Sequence, residues 1–199
     1  MISLVHRVFL FLKATVTACL SLVCFVKSPC LQFCTLCILC RLQLNHDKSE
    51  VLWCSSSRRQ HQIPGRAVRI GSAAVQPVSA VRDLGIMLDA DVTMSTHIIA
   101  VVKASYSALR RIRSVRRSIP RRALLTLIQA LVVSMVDCCN SVLAGVSDTL
   151  LRRLQSVLNA AAWLVFSARR SEHITPLLCE LHWLRVPEMI KFRLCVLAF

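Results

Sequence analysis

Four cysteines near the start of the chain have the first spacing that could carry chemistry. They could supply thiolates to zinc or to an iron–sulfur cluster: Cys30, Cys34, Cys37 and Cys40. The residues between them are mostly apolar and include no turn-forming glycine, a setting in which cysteine behaves as a small hydrophobic residue. The total of 11 cysteines is odd and argues against a disulfide scaffold. We therefore expect neither a metal centre nor disulfides from these residues.

Two other groups have metal-like spacing. Asp89 and Asp91 form an Asp-x-Asp pair, and His173, Cys179 and His182 are loosely spaced as metal ligands would be. We expect the aspartates to lie in a turn and the histidines to cap or pack. The sequence has no glycine-rich phosphate loop, Gly-x-Ser-x-Gly elbow or His-Glu-x-x-His helix. We predict that the chain has no cofactor and no small-molecule substrate.

Positive charge is the chemically distinctive property of this chain. It has 25 Lys and Arg against 10 Asp and Glu, a formal net charge of +15. Residues 92–136 contain no acid and eight basic residues: Lys103, Arg110, Arg111, Arg113, Arg116, Arg117, Arg121 and Arg122. Such an excess predicts a polyanionic partner, either nucleic acid or an anionic membrane surface. The alternative is a basic helix face that is merely solvated.

Residues 1–40 are strongly hydrophobic and differ from the rest of the chain. We expect a helical segment here. The longest uncharged run, residues 14–26, is shorter than the roughly 20 residues that a spanning helix needs. A membrane span would have to accommodate Lys13. Two interpretations stay open, namely membrane insertion or targeting and a translated stretch without an evolved role.

The remaining residues predict an α+β fold, with a small antiparallel sheet followed by a mainly helical bundle. Short strands are expected within residues 50–54, 67–70 and 75–88, because apolar and polar residues alternate there between glycines and prolines. Helices are expected from Ser95, from about Pro120, from Ser147, from about Thr175 and from Pro187. Residues 123–136 are apolar nearly all round, which predicts a central buried helix.

The first of these helices, predicted for residues 95–117, is amphipathic. Its apolar side chains recur at 3.6 residues per turn on one face: Ile98, Val101, Val102, Leu109 and Ile112. Lys103, Arg110 and Arg117 recur every seven residues on the opposite face. In the third helix, Arg152 and Arg153 are expected to face solvent.

Five strings follow one another in this part of the chain. They are LNHDKSEVL (44–52), VRDLGIMLDADVTM (81–94), VDCCNSVLAGV (136–146), LLRRLQSVLNAAAWLV (150–165) and HITPLLCELHWLRV (173–186). Together they resemble the reverse transcriptases of LINE-type (non-LTR) retrotransposons of the jockey-like and chicken-repeat-like lineages. The resemblance covers residues 41–199, from the end of the palm through the thumb. It implies three regions: the unrelated segment 1–40, a palm end 41–94 and a helical thumb-like region 95–199.

The resemblance implies nucleic-acid contacts for individual residues of this chain. Leu44, Asn45 and Lys48 match the fourth palm motif, whose lysine lies near the incoming nucleotide's phosphates. Leu84 and Gly85 match the primer grip, a tight hairpin against the primer end. The basic helix matches the thumb, which packs along the template–primer duplex, so phosphate contacts are implied for its cations: Lys103, Arg110, Arg111, Arg113 and Arg117.

The family's polymerase chemistry relies on carboxylates that hold Mg²⁺ ions, one pair of them in a Tyr/Phe-Ala-Asp-Asp hairpin. No Asp-Asp pair occurs in this sequence. The sequence therefore predicts a catalytically incomplete reverse-transcriptase fragment, not an enzyme, that binds RNA or an RNA–DNA duplex without sequence specificity. The alternatives are a small protein anchored in a membrane by residues 1–40, with a basic cytosolic tail, and a non-functional translated remnant. Localisation follows from that choice, at a membrane if residues 1–40 insert and in the cytoplasm or nucleus otherwise.

Overall fold

The computed structural model describes residues 8–16, 18–26, 50–55, 58, 61, 65–70, 73–83, 85–138 and 140–199. The chain divides into two compact units, Met1–Thr96 and His97–Phe199. Every described strand lies in the first unit, and the described residues of the second unit are mainly helical. The fold is α+β, with small sheets followed by a helical bundle, as the sequence predicts.

The described residues of the first unit form eight strands. In chain order they are β1 (Val8–Val16), β2 (Ala18–Val26), β3 (Val51–Leu52), β4 (Val68–Ile70), β5 (Ala73–Val75), β6 (Pro77–Val78), β7 (Ala80–Asp83) and β8 (Ile86–Asp89). One sheet has the order β2-β1-β3-β6, and β4-β5 and β7-β8 form antiparallel pairs. Only β3 and β6 pair in parallel among the described strands. Val51 and Leu52 in β3 are completely buried.

The helical prediction for the hydrophobic N-terminal segment is wrong for residues 8–16 and 18–26. These residues form β1 and β2, which pair antiparallel from Val8 opposite Val26 to Val16 opposite Ala18. The two segments together contain four valines and three phenylalanines, whose branched or aromatic side chains favour extended backbone. A short apolar run is compatible with a buried strand as well as with a helix. Among the described residues, no helix combines the length and the apolar character needed to cross a membrane.

The second unit is built from six α-helices with shorter turns between them. They are α1 (Ser95–Val115, which starts in the first unit), α2 (Arg121–Ile128), α3 (Ser134–Asp137), α4 (Asp148–Phe166), α5 (Ile174–Glu180) and α6 (Val186–Ala198). Pro120, Ser147 and Arg185 occupy the positions just before α2, α4 and α6. The helix starts are therefore confirmed to within about a residue, because proline and small polar residues favour the first turn of a helix.

The core of the second unit is formed by one face of each long helix. The buried residues of α1 are His97, Ile98, Ser105, Ala108, Leu109 and Ile112. Those of α4 are Leu154, Val157, Leu158, Ala161, Ala162 and Val165. The hydroxyls of Tyr106 and Ser156 lie 3.0 Å apart and connect the two helices. The main-chain N–H of Val186, at the start of α6, donates to Oε1 of Gln155 in α4 at 2.9 Å.

The helix expected to be buried all round is buried on one face only. Leu124, Ile128, Val132 and Val136 are buried, whereas Leu131 is 47% exposed. Gln129–Val133 is a π-helical turn between α2 and α3. A π turn rotates the chain less per residue, so side chains spaced by four stay near one face. The apolar composition did not predict this division, which is set by the neighbours that pack against one side.

Candidate nucleic-acid interface

Helix α1 carries most of the basic residues, and its inner face is packed into the core. Its 21 residues extend about 30 Å at 1.5 Å per residue. Lys103, Arg110, Arg111 and Arg113 are all exposed, and Ile98 and Ile112 are buried in the core. At 3.6 residues per turn, Lys103 and Arg110 lie about 20° apart around the helix and about 10 Å apart along it. The predicted division is confirmed for the inner residues Ile98, Leu109 and Ile112 and for the outer residues Lys103 and Arg110, whereas Val101 and Val102 of the predicted inner face are half-buried.

Arg117 does not continue this row as a helical residue. The α-helix ends at Val115, and Arg116–Ser118 forms a 3₁₀ turn. Arg117 is exposed there, but the seven-residue helical spacing no longer fixes its direction because the 3₁₀ turn has a different rotation per residue. We call the exposed cations of this helix and turn the α1 basic surface: Lys103, Arg110, Arg111, Arg113 and Arg117.

No carboxylate neutralises the α1 basic surface within the part of the chain that the structure describes. The two ion pairs found there use other arginines. Arg121 contacts Oε1 of Glu180 at 3.0 Å, and Arg193 contacts Oδ2 of Asp137 at 2.6 Å. Arg121 also stacks on the ring of Phe166, with its guanidinium carbon 4.7 Å from the ring centre. Arg121 and Arg193 thus hold helices together, whereas the α1 cations project to solvent and are available to an external anion.

The hairpin assigned to the primer grip is tight. Strands β7 and β8 pair with Asp83 opposite Ile86, which leaves a two-residue turn that contains Gly85. Gly85 has φ +90°, in the region that favours glycine. A Cβ added at Gly85 would meet no atom within 4 Å, so the requirement for glycine here comes from the backbone angle. Leu84, the other residue matched to this motif, lies outside the described residues.

Several predictions concern residues that the structure does not describe. Lys48, with the rest of the fourth palm motif, lies outside the described residues, as do the four early cysteines at positions 30, 34, 37 and 40. The proposed membrane association through residues 1–40 depends on side chains that are likewise not described. These predictions stay predictions.

Asp89 of the Asp-x-Asp pair caps the first turn of α1. Its Oδ2 accepts hydrogen bonds from the main-chain N–H of Thr96 at 3.1 Å and from the hydroxyls of Ser95 at 3.1 Å and Thr93 at 3.4 Å. Burial acts to raise the pKa of Asp89, but the hydrogen bonds from Thr96, Ser95 and Thr93 favour the carboxylate and bring the pKa below its ordinary value. Asp91 accepts from the main-chain N–H of Thr93 at 3.3 Å. Asp89 therefore acts as a helix cap, a role that the spacing alone did not indicate.

The histidines with metal-like spacing lie at the ends of α5. His173 precedes the first residue of α5, and His182 follows its end with φ +55°. The main-chain N–H of Trp183 donates to the carbonyl of Leu178 at 2.9 Å, and that of His182 donates to the carbonyl of Cys179 at 3.0 Å. This is a Schellman ending, in which a left-handed residue closes the helix. No set of three metal-ligating side chains occurs among the described residues.

A groove in the second unit was not foreseen from the sequence. It consists of two adjoining cavities, each of about 520 Å³, which share Gln129, Ala130 and Trp183. The first cavity is also lined by residues of the π-helical turn, α3, α4, α6 and the turn before α6: Val133, Ser134, Asp137, Leu158, His182, Leu184, Met189, Phe192 and Arg193. The lining comes from segments up to 64 positions apart, between Gln129 and Arg193, so no local motif could have predicted it.

No protein-family model, curated protein or solved structure matches this chain at a significant level.

Proposed function

We propose that this protein is a catalytically incomplete reverse-transcriptase fragment derived from a non-LTR retrotransposon. Its retained activity is binding of RNA or an RNA–DNA duplex, without sequence specificity, through the α1 basic surface. The observation that carries the binding proposal is the set of exposed cations on α1 and the turn after it, with no described carboxylate paired to them. Lys103 and Arg110 lie opposite the buried face, and Arg111 and Arg113 lie on its two flanks.

The chemistry of the α1 basic surface fits a phosphate backbone. Four of its five residues are arginines, whose planar guanidinium groups can donate two parallel hydrogen bonds to a phosphate. Phosphate contacts position a protein on a duplex but do not read its sequence. The absence of any acid in residues 92–136, and of a described ion pair to the α1 cations, leaves their attraction for an anion uncompensated along α1. Binding should therefore be general for polyanionic strands and sensitive to salt.

The proposal excludes polymerase activity of this chain on chemical grounds. Two-metal phosphoryl transfer needs a carboxylate cluster to hold the ions. The sequence has no Asp-Asp pair, and Asp89 is engaged as a helix cap. We expect no primer extension when the purified full-length chain is supplied with primer, template, dNTPs and Mg²⁺. Incorporation above a protein-free blank would contradict this part of the proposal.

The binding part is tested with fluorescently labelled RNA–DNA duplexes of equal length and different sequence. Fluorescence anisotropy should give equal affinities for all of them, and the affinity should fall steeply as salt increases. A marked preference for one sequence would argue against a backbone interface, and an affinity independent of salt would argue against phosphate contacts.

A further inference from the structure

The shared groove of the second unit combines aromatic surfaces with polar groups. Trp183 is half-buried and lines both cavities, and Phe192 is 60% exposed on the wall formed by α6. Gln129 also lines both cavities. Its side-chain amide offers a donor and an acceptor. An apolar pocket with a few polar groups is typical of a site for a planar, drug-sized or smaller ligand.

The groove also contains an ion pair that links two of its walls. Nη2 of Arg193 contacts Oδ2 of Asp137 at 2.6 Å, and Oδ1 of Asp137 accepts from Nδ2 of Asn140 at 2.9 Å. These contacts connect α6 to the end of α3 across the groove. Arg193 follows Phe192 in α6, so this ion pair links the wall that carries Phe192 to the end of α3.

The second cavity of the groove begins close to the end of the α1 basic surface. Glu180 lines the second cavity, and its carboxylate is paired at 3.0 Å with Arg121, the first residue of α2. Arg121 follows Arg117 of the α1 basic surface by four residues. Gln129 lies eight residues further along the helical segment that begins at Arg121, or about 12 Å. A nucleic-acid strand whose phosphates contact the α1 basic surface can therefore extend toward the groove.

We propose that this groove accepts an unpaired nucleobase of a bound single strand, stacked on Trp183. The inference rests on the proposed function, because the phosphates must first be attracted by the α1 basic surface. Bases in single strands are commonly recognised by stacking on aromatic side chains, and the stacking tolerates any base because each has a π face. The α1 basic surface supplies the affinity for the phosphate backbone of the nucleic acid. The groove adds a preference for unpaired over fully paired nucleic-acid strands.

The test compares two RNA oligomers of equal length and charge, one with bases and one fully abasic, in anisotropy titrations with the full-length chain. We expect the base-bearing oligomer to bind about tenfold more tightly, since stacking of one base contributes enough free energy for that ratio. In Trp183→Leu this ratio should fall toward one, whereas Trp183→Phe, which keeps an aromatic face, should retain most of it. Circular dichroism of both variants checks that the fold is kept.

Tryptophan fluorescence gives an independent readout. Stacking of a base on Trp183 should quench the emission of the parent, and the quenching should disappear in Trp183→Phe, in which Trp53 and Trp163 remain. Equal affinities for the base-bearing and abasic oligomers, or quenching that survives in Trp183→Phe, would overturn the groove as a base site. Such a result would leave the proposed function standing, whereas failure of the parent to bind either oligomer or the duplex would reject the proposed function itself.

Discussion

Removal of three charges from the outer face of α1 should change how strongly nucleic-acid binding depends on salt. Lys103, Arg110 and Arg111 are exposed and lie within the α-helix, and none takes part in a described ion pair. Arg113 is left unchanged because it lies in the last turn of α1, where a cation also interacts favourably with the helix dipole. The perturbation is the triple variant Lys103→Gln, Arg110→Gln, Arg111→Gln.

The magnitude follows from the number of phosphates released. Each phosphate neutralised on a B-form duplex contributes roughly 0.9 to the slope of log affinity against log salt, so loss of three contacts lowers the slope by about 2–3. Between about 50 and 200 mM salt, the affinity of the parent should therefore fall about 40-fold more than that of the variant. Exposed substitutions usually change the free energy of unfolding by no more than about 0.5 kcal/mol each, so the fold should persist.

A matched control separates local contacts from total charge. Arg152, Arg170 and Lys191 are exposed cations on α4, on the loop after it and on α6, and they have no described ion pair. Their replacement with Gln removes the same charge from three separate places, and the slope measured by fluorescence anisotropy should change less. Equal slopes for the α1 variant and the parent, or equal reductions in the two triple variants, would refute the assignment of the interface to α1.

Three further experiments, two on substituted chains and one on the parent, test features of the fold. Asp89→Ala should lower the free energy of unfolding by about 1–2 kcal/mol in urea titrations, because the cap of α1 is lost. Since the folded-state pKa of Asp89 is lowered, its stabilisation is present above the unfolded value of about 3.9 and is lost as the pH falls through the folded value, so the difference between parent and variant should vanish in acid. His182→Gly should raise the free energy of unfolding by about 0.5 kcal/mol, because glycine adopts the left-handed φ of +55° without a steric penalty; a destabilised variant would mean that the imidazole makes contacts worth more than this strain. Burial raises the pKa of the Cys54 thiol to about 11, so alkylation followed by peptide mass spectrometry at about pH 8 should find Cys54 modified more slowly than the exposed Cys179, and equal rates would contradict its burial.

Local signals in the sequence were sufficient for the helical half of the chain. Pro120 and Ser147 marked the starts of α2 and α4, and the spacing of Ile98, Leu109 and Ile112 identified the buried face of α1. These signals depend only on residues within two turns of a helix, so they can be recognised in the sequence without the tertiary structure. The positions of the exposed cations followed from the same periodicity, up to the end of α1.

Other features depended on contacts between distant residues. Residues 8–16 and 18–26 form strands because each segment pairs with the other, and an apolar run does not reveal such a partner. The cap of α1 by Asp89 depends on the path of the turn at residues 90–94, which returns its carboxylate to the N–H of Thr96 and which the Asp-x-Asp spacing does not reveal.

The sequence by itself determined the fold class, the helix starts and the basic outer face of α1, because each of these depends on residue type and on spacing along one element. The tertiary structure alone decided which cations remain free, because Arg121 and Arg193 find their carboxylates in Glu180 and Asp137, 59 and 56 residues away. It also decided the groove around Trp183, which exists only where α2, α3 and α6 are brought together by burial of their apolar faces. Local spacing sets which face of a helix is apolar, but packing of those faces sets which polar side chains meet.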